Sequence, residues 1–373
     1  MKILHVYKSY APTPGGIETH VRQLAVGLAR RGADVTVLTT SADRRTVTEV
    51  REGVRVIRAG RLGEIASTPL SPRLVWELAR ADADVVHLHV PYPVGEVGYL
   101  LAGRRRPLVV TYHSDVVRQR WARPLYDPLL THLLRRAHAI VATSPVYVET
   151  SPVLRQFATR CNVIPLGVDL DQFSPTPEFV AAIRQRWLDQ AHSSLVLFVG
   201  RFRAYKGLEY LIDAVAGLPA CLLLIGAGPL EGELRATIAQ LGLGEQVAIL
   251  GNVRDEDLPA YYAACDVFVL PSIQRSEAFG TVLLEAMAAG RPAVCTELGT
   301  ATSWVVQNEV TGLVVPPADS KALKGALERL LSDRTLARRL GEAARQRAEE
   351  YFGEGTLLDN VEKVYRQVVG DSK

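Results

Sequence analysis

Two glutamates, Glu277 and Glu285, stand in the run SEAFGTVLLEAMAAG, Ser276 to Gly290, the second with Leu284 and Ala286 as its neighbours. An ionised carboxyl among apolar side chains is costly unless something pairs with it. The join between loop and helix offers each acid a use. Amides of Phe279, Gly280 and Thr281 open a helix, where N–H groups without helical partners favour an anionic ligand. Glu285, about a turn and a half into that helix, can be satisfied by hydroxyl donors of a ribose. Glu277 can accept from a sugar, or offset positive charge developing at a reacting carbon. A salt bridge from Glu277 to Arg201 or Lys206 is the structural alternative, and the two roles are compatible.

Those cations lie in FVGRFRAYKGLEYL, between a strand and a helix that begins near Gly207. Two cations beside a helix N-terminus form a pocket for a diphosphate; the alternative is a solvated loop. Gly226, Gly228 and Pro229 in LLLIGAGPLEGEL, and Asn252 and Val253 in LGNV, follow the next two strands. Glycine there lets a flat base or ribose lie against the backbone, although each signal is weak alone. VVTYHSD places His113 and Asp115 just past a strand, where the carboxylate could fix an imidazole tautomer. His87 and His89 in VVHLHV alternate, but the sequence supplies them no third ligand, so packing is expected and no metal is assigned. Asp-x-Asp pairs at Asp82/Asp84, Asp169/Asp171 and Asp255/Asp257 sit in turn-like settings and read as background. Gly15 and Gly16 lead into a helix, so backbone can approach a phosphate or sugar. The run is not G-x-G-x-x-G, and a plain turn is the alternative.

What must position these residues is a repeated strand–loop–helix pattern. ILHVY, ADVTVLTT, ADVVHLHV, PLVVTYH, HAIVATS and CNVIPLG form one series; SLVLFVG, CLLLIG, QVAILG, VFVLPS and PAVCTE form a second. Continuous β-branched runs alternating with helices imply α/β folding around parallel sheets covered on both faces. The expected domains are 1–165 and 166–354, joined near the Pro-, Asp- and Ser-rich DLDQFSPTPEF, with a final helix at about 355–373 that packs back on the first. Ligands of open α/β sheets sit beyond the carboxyl ends of strands; polar residues gather there in both halves, which points to a cleft between them.

The chain has 373 residues, 48% hydrophobic and 22% charged, the composition of a soluble globular protein. No apolar run reaches the roughly 18 residues of a membrane-spanning helix. MKILHVYKSY is strand-like and carries a lysine, so it does not read as a signal peptide. Cys161, Cys221, Cys265 and Cys295 lack metal or disulfide spacing and suit a cytoplasmic protein. Residues 1–165 hold 23 Lys+Arg against 13 Asp+Glu, and 166–373 hold 20 against 27, which leaves the net +3. A basic first half suits an anionic partner, with ordinary drift in surface arginine as the alternative. Arg104–Arg106 and the cluster Arg118, Arg120, Trp121, Arg123 suit a membrane surface or a polyprenyl diphosphate, with a solvated charged loop as the alternative. No groove-reading helix or aromatic–basic platform points to nucleic acid.

With EAFGTVLLE, GRFRAYKG, GAGP, GNV, HSD and PGG in this order, the chain resembles the retaining glycosyltransferases of family 4 over nearly its whole length. That resemblance implies the GT-B architecture of two facing Rossmann-like domains. It also implies a nucleotide-sugar donor, a glycan or polyprenyl-diphosphate-linked acceptor, and no cofactor or metal; peripheral association with the inner face of the cell membrane is the expectation drawn from the basic cluster. Position by position, His113 contacts the transferred sugar, Arg201 and Lys206 neutralise the leaving diphosphate, Glu277 holds the donor sugar and Glu285 the ribose. Amides from Gly280 to Val282 complete the phosphate cradle. GTATSW, Gly299 to Trp304, and the RQRW run after His113 depart from the general pattern and resemble bacterial enzymes that extend lipid-linked polysaccharide precursors, hence the expectation of GDP-mannose. A UDP-sugar transferase of the family, a GT-B nucleotide-sugar epimerase and a non-catalytic sugar-nucleotide-binding protein are the alternatives.

Overall fold

The computed structural model describes residues 1–13, 15–65, 68–103, 106–116 and 123–370. Arg104, Arg105, Arg118, Arg120 and Trp121, part of the basic cluster considered for membrane binding, lie outside the described residues, as does the side chain of Arg123. The chain divides into two compact units, Met1–Leu166 with Gly355–Lys373, and Gly167–Glu354.

In the first unit the strands are β1 (Lys2–Val6), β2 (Asp34–Thr40), β3 (Val47–Arg51), β4 (Val54–Ala59), β5 (Gly63–Ile65), β6 (Thr68–Leu70), β7 (Val85–Val90), β8 (Leu108–Tyr112), β9 (Ala139–Ala142) and β10 (Cys161–Val163). Among the described residues they form an eight-stranded sheet in the order β10-β9-β8-β7-β1-β2-β4-β3, with β5 and β6 a separate pair. Every residue of β7 and β8 is buried, as parallel strands covered on both faces require. The antiparallel edge strand β3 is exposed throughout. Its hairpin with β4 turns on Glu52 and Gly53, both at positive φ, the primed geometry that matches strand twist.

The second unit holds β11 (Ser194–Val199), β12 (Ala220–Ile225), β13 (Val247–Gly251), β14 (Val267–Leu270), β15 (Ala293–Thr296) and β16 (Gly312–Val315). All pair in parallel in the order β13-β12-β11-β14-β15-β16. Numbered within the unit this is the doubly wound order 3-2-1-4-5-6, whose switch point lies between the first and fourth strands. Helix ends are set by side chains: Asp319 caps Ser320–Ser332 through the amide of Ala322, and Asp333 caps Arg334–Tyr351 through that of Leu336, each at 2.9 Å. Segment Asp169–Phe179, read as a linker from its composition, is structured. A 3-10 turn at Leu170–Phe173 sets the Phe173 ring against Tyr262, and helix Pro177–Trp187 follows.

Helix Glu354–Gly370 buries Leu357, Leu358, Val361, Val364, Tyr365 and Val368, one face at helical spacing. It belongs to the first unit, where Asp359 pairs with Arg31 at 2.6 Å and the Tyr365 hydroxyl lies 2.6 Å from Nδ1 of the buried His87. All four cysteines are free, with Cys221, Cys265 and Cys295 buried. No helix among the described residues is long and apolar enough to cross a membrane. Tyr365→Phe removes a partner from a buried imidazole, a loss of about 1–3 kcal/mol. Hydrogen exchange is expected to speed up at the amides of β7 and β8 and stay unchanged in β11 and β12; unchanged exchange in β7 would show that this helix does not secure the first sheet.

Candidate functional site

In the second unit the loops after β11 and β14 meet at the switch point. A 3-10 turn, Ala204–Lys206, ends at Gly207, whose φ is 63° and whose absent Cβ would lie 2.4 Å from the carbonyl oxygen of Pro271. Only glycine allows both that conformation and that approach, and the approach sets Lys206 against the residues following β14. Lys206 is 7% exposed and Glu277 8%. The Lys206 ammonium is hydrogen-bonded to Glu277 Oε2, and Ser272 Oγ donates to the same oxygen at 2.9 Å. Burial pulls the lysine pKa down, but the Glu277 carboxylate and the Tyr205 phenol more than offset it, so the net shift is upward and the charge is retained. Glu277 Oε1 accepts no hydrogen bond among the described residues. Thr300, from the atypical GTATSW run, donates to the backbone carbonyl of Glu277 at 2.8 Å. That segment therefore braces the loop carrying the acid.

Arg201 is exposed in the loop after β11, close enough for its charge to act on Tyr205. Helix Thr281–Ala288 starts from Gly280 at φ 78°, with the side chain of Phe279 buried and packed edge-on against Phe352. Thr281 and Val282 are half-buried in its first turn. Glu285 is half-buried too and accepts a 2.6 Å hydrogen bond from the Tyr262 hydroxyl. Burial raises its pKa, opposed by that bond and aided by Asp255. Pro229 and Asn252 are exposed and Val253 half-buried beyond β12 and β13. Gly226 and Gly228 differ from the sequence reading. A Cβ on them would fall 2.0 Å from the Gly200 oxygen and 2.4 Å from the Phe202 oxygen. Glycine is required there by the approach of two loops of the protein, and the Cβ position is not an open bed for a base.

In the first unit the corresponding switch point lies between β1 and β7. Gly15 precedes helix Gly16–Arg30, whose first turn buries Glu18; Ser9 Oγ donates to its Oε1 at 2.5 Å. His113 is 4% exposed just after β8. Asp115 does not serve as its orienting partner: it accepts from Tyr112 at 2.8 Å and Ser151 at 2.6 Å, and its N–H donates to the Tyr147 hydroxyl. The partner of His113 is His89, with Nδ1 of His89 3.0 Å from Nε2 of His113. The expectation that His87 and His89 stand without further histidines is also corrected. Strand pairing aligns His5 with His87, and His5–His87–His89 and His20–His89–His113 each bring nitrogens within 4.8 Å of one another.

Four buried polar residues here escaped the sequence reading: His5, Glu18, His20 and Glu96. Glu96, after β7, accepts from Tyr126 at 2.6 Å and from the Tyr92 amide at 2.8 Å, and burial pushes its carboxyl up to about 7 against those bonds. His5 lies within a switch-point strand and Glu96 on the short helix that follows one, which was the available signal; Glu18 and His20 lie on helix Gly16–Arg30, where no local signal marked them.

Lys206→Met leaves the Glu277 carboxylate buried without its countercharge and is expected to cost about 3–5 kcal/mol in urea unfolding. Adding Glu277→Leu removes both charges and should recover most of that loss. Equal destabilisation in the single and double variants would show that the pair does not act as a unit.

Comparison with known proteins agrees with these two α/β units. Residues 14–172 match the description Glycosyltransferase Family 4, and residues 180–347 match Glycosyl transferases group 1. O-antigen chain mannosyltransferase C of Escherichia coli is 39% identical, over 98% of each chain. D-rhamnosyltransferase WbpZ of Pseudomonas aeruginosa is 40% identical over 94% of this chain and 92% of its own. Among solved structures, sucrose-phosphate synthase from Thermosynechococcus elongatus has a TM-score of 0.82 at 28% identity, covering 99% of both chains. The doubly wound sheets, the motif residues gathered at their switch points and these relatives together establish that the chain belongs to the family 4 glycosyltransferases, enzymes of the GT-B fold.

Proposed function

We propose that the protein is a retaining, metal-independent hexosyltransferase that moves mannose from GDP-mannose to a hydroxyl of a glycan or lipid-linked acceptor. The carrying observation is the buried, protonated Lys206 held at a sheet switch point by Glu277, whose Oε2 also accepts from Ser272. A fixed cation in that position stabilises charge that grows on a leaving diphosphate, and being already oriented it needs no reorganisation as the bond breaks. Arg201 adds a second, exposed cation, and the amides opening helix Thr281–Ala288 supply neutral donors. Glu277 divides its work: Oε2 orients Lys206, and Oε1 is left to accept from a hydroxyl of the transferred sugar. Glu285 offers its remaining acceptor capacity to ribose hydroxyls, and His113 meets the sugar near the reacting carbon.

As the bond from anomeric carbon to phosphate oxygen breaks, the carbon gains oxocarbenium character. The acceptor oxygen then bonds on the face that the diphosphate is leaving, and its proton passes to the departing phosphate oxygen. Configuration is thereby retained. A D-manno donor is favoured because the relatives are named for mannose and D-rhamnose, and D-rhamnose is 6-deoxymannose. Transfer of the 6-deoxy sugar is the second reading, resting on the 40% identical rhamnosyltransferase. The basic balance of residues 1–165 suits an anionic lipid-linked acceptor at a membrane surface.

A thermal-shift panel of GDP-mannose, its 6-deoxy analogue, and UDP- and ADP-sugars tests the donor, since binding to the folded state raises Tm. GDP-mannose is expected to give the largest shift, with transfer products that keep the donor's anomeric configuration by NMR. A larger shift with a UDP-sugar, or an inverted product, would overturn the assignment. Lys206→Ala should lower kcat by roughly 100-fold or more, as loss of a preorganised charge stabiliser does.

A further inference from the structure

Five of the chain's eight histidines gather on the central sheet of the first unit. Side chains two apart on a strand share a face. His5 on β1, His87 and His89 on β7, and Thr111 and His113 at the end of β8 therefore line up, with His5 opposite His87 and His89 opposite Thr111. Helix Gly16–Arg30 adds His20, edge-on to His89 and His113, and the C-terminal helix adds Tyr365 over His87. His87 is fully engaged by the hydroxyls of Tyr365 and Thr111, both at 2.6 Å. The others form a line: His5 Nδ1 lies 3.0 Å from His89 Nε2, and His89 Nδ1 lies 3.0 Å from His113 Nε2.

Burial keeps these rings neutral, with His5 lowered to about 3, His20 to about 4, and His87, His89 and His113 well below the ordinary value. A neutral imidazole has one N–H and one lone pair, so two successive hydrogen bonds through three rings must run in the same direction. If they ran from His113 toward His5, they would end in an N–H at Nε2 of His5. That atom is buried and has no hydrogen-bond partner among the described residues. Orphaned buried N–H groups are rarer than under-satisfied acceptors, so the protons point the other way. His5 Nδ1–H then donates to His89, and His89 Nδ1–H donates to His113 Nε2. His113 is left with its proton on Nδ1, a nitrogen that makes no hydrogen bond to any described residue.

We propose that His89, backed by His5, is a positioning residue that locks His113 as the Nδ1–H tautomer, so that His113 presents a hydrogen-bond donor to the sugar and no basic lone pair. The catalytic consequence rests on the reading of His113 as a sugar contact; the tautomer itself does not. Near-parallel rings, 22° between His89 and His113 and 24° between His5 and His89, favour this shared-proton line over convergence of lone pairs on a cation.

The test is ¹⁵N NMR of the full chain labelled in histidine, with the His113 resonances assigned by their loss in His113→Gln. Wild-type His113 is expected to show a protonated Nδ1 and a bare Nε2. A protonated Nε2 overturns the proposal whether or not the protein transfers sugar. His89→Leu should shift His113 toward a mixture of tautomers and lower kcat roughly 10–100-fold, as loss of an orienting partner does, with little change in donor KM. His89→Asn, which places an amide N–H near the lost Nδ1–H, should restore much of both and keeps the test open if the leucine variant fails to fold. Transfer at the wild-type rate in a His89→Leu protein that has lost the single tautomer would overturn the positioning role. One equivalent of zinc in the purified protein by elemental analysis would replace the line of protons with a metal and overturn it as well. Absence of transfer from every donor tried would count against the proposed function, while the NMR result still decides the tautomer.

Discussion

A lysine buried to 7% exposure cannot stay charged without a partner, and the second unit is arranged around giving Lys206 one. The doubly wound order places the ends of β11 and β14 side by side. Gly207 lets the first loop lie on the second, and Ser272 and Thr300 fix the acid that receives the ammonium. Remove any of these and the cation loses its position or its protonation. The pair solves a structural problem, the burial of two charges, with the same atoms to which the proposed function gives the chemistry. An ion pair with one carboxylate oxygen to spare can hold a cation for a phosphate and still accept from a hydroxyl.

The first unit solves a different problem at its own switch point. There the buried polar groups are mostly uncharged: histidines whose pKa values burial pushes down, and the Glu96 carboxyl raised to about 7. Neutral groups in an apolar setting can only be oriented by hydrogen bonds, so direction of donation takes the place of charge. One unit therefore fixes where a positive charge stands, the other where a proton stands. Both exploit the geometry by which parallel strands end together and deliver side chains from distant parts of the chain.

Much of this was legible in the sequence because parallel α/β folding ties function to order along the chain. Hydrophobic runs followed by glycine and charge located β11, β12, β13 and β14 and, with them, Lys206, Glu277 and Glu285. The strands β3, β4, β5, β6 and β16 were not found. β3 is exposed throughout, β4 interrupts its apolar residues with arginine, and β5 and β6 have three residues each, so none of these carries the continuous apolar run that marks a buried parallel strand; β16, GLVV, is apolar and mostly buried and was passed over. Local spacing also misled twice. Asp115 stands two residues from His113 but turns toward Tyr112 and Ser151, because both lie beyond the end of β8, where strand alternation no longer sets the face. His5 and His89 are 84 positions apart and touch, a contact that only the strand order reveals. Gly226 and Gly228 were read as a bed for a base or ribose, but the crowding that requires glycine there comes from the protein's own backbone.

Calorimetric titration with GDP and with guanosine tests the diphosphate role of the buried pair most directly. The comparison is between wild type and the folded double variant Lys206→Met/Glu277→Leu. Loss of a charge-assisted hydrogen bond of about 1.5–3 kcal/mol corresponds to roughly 10–150-fold weaker GDP binding, with guanosine affinity unchanged. Equal GDP affinity in the two proteins would mean that the diphosphate does not meet Lys206, and the account of the site would fall with it.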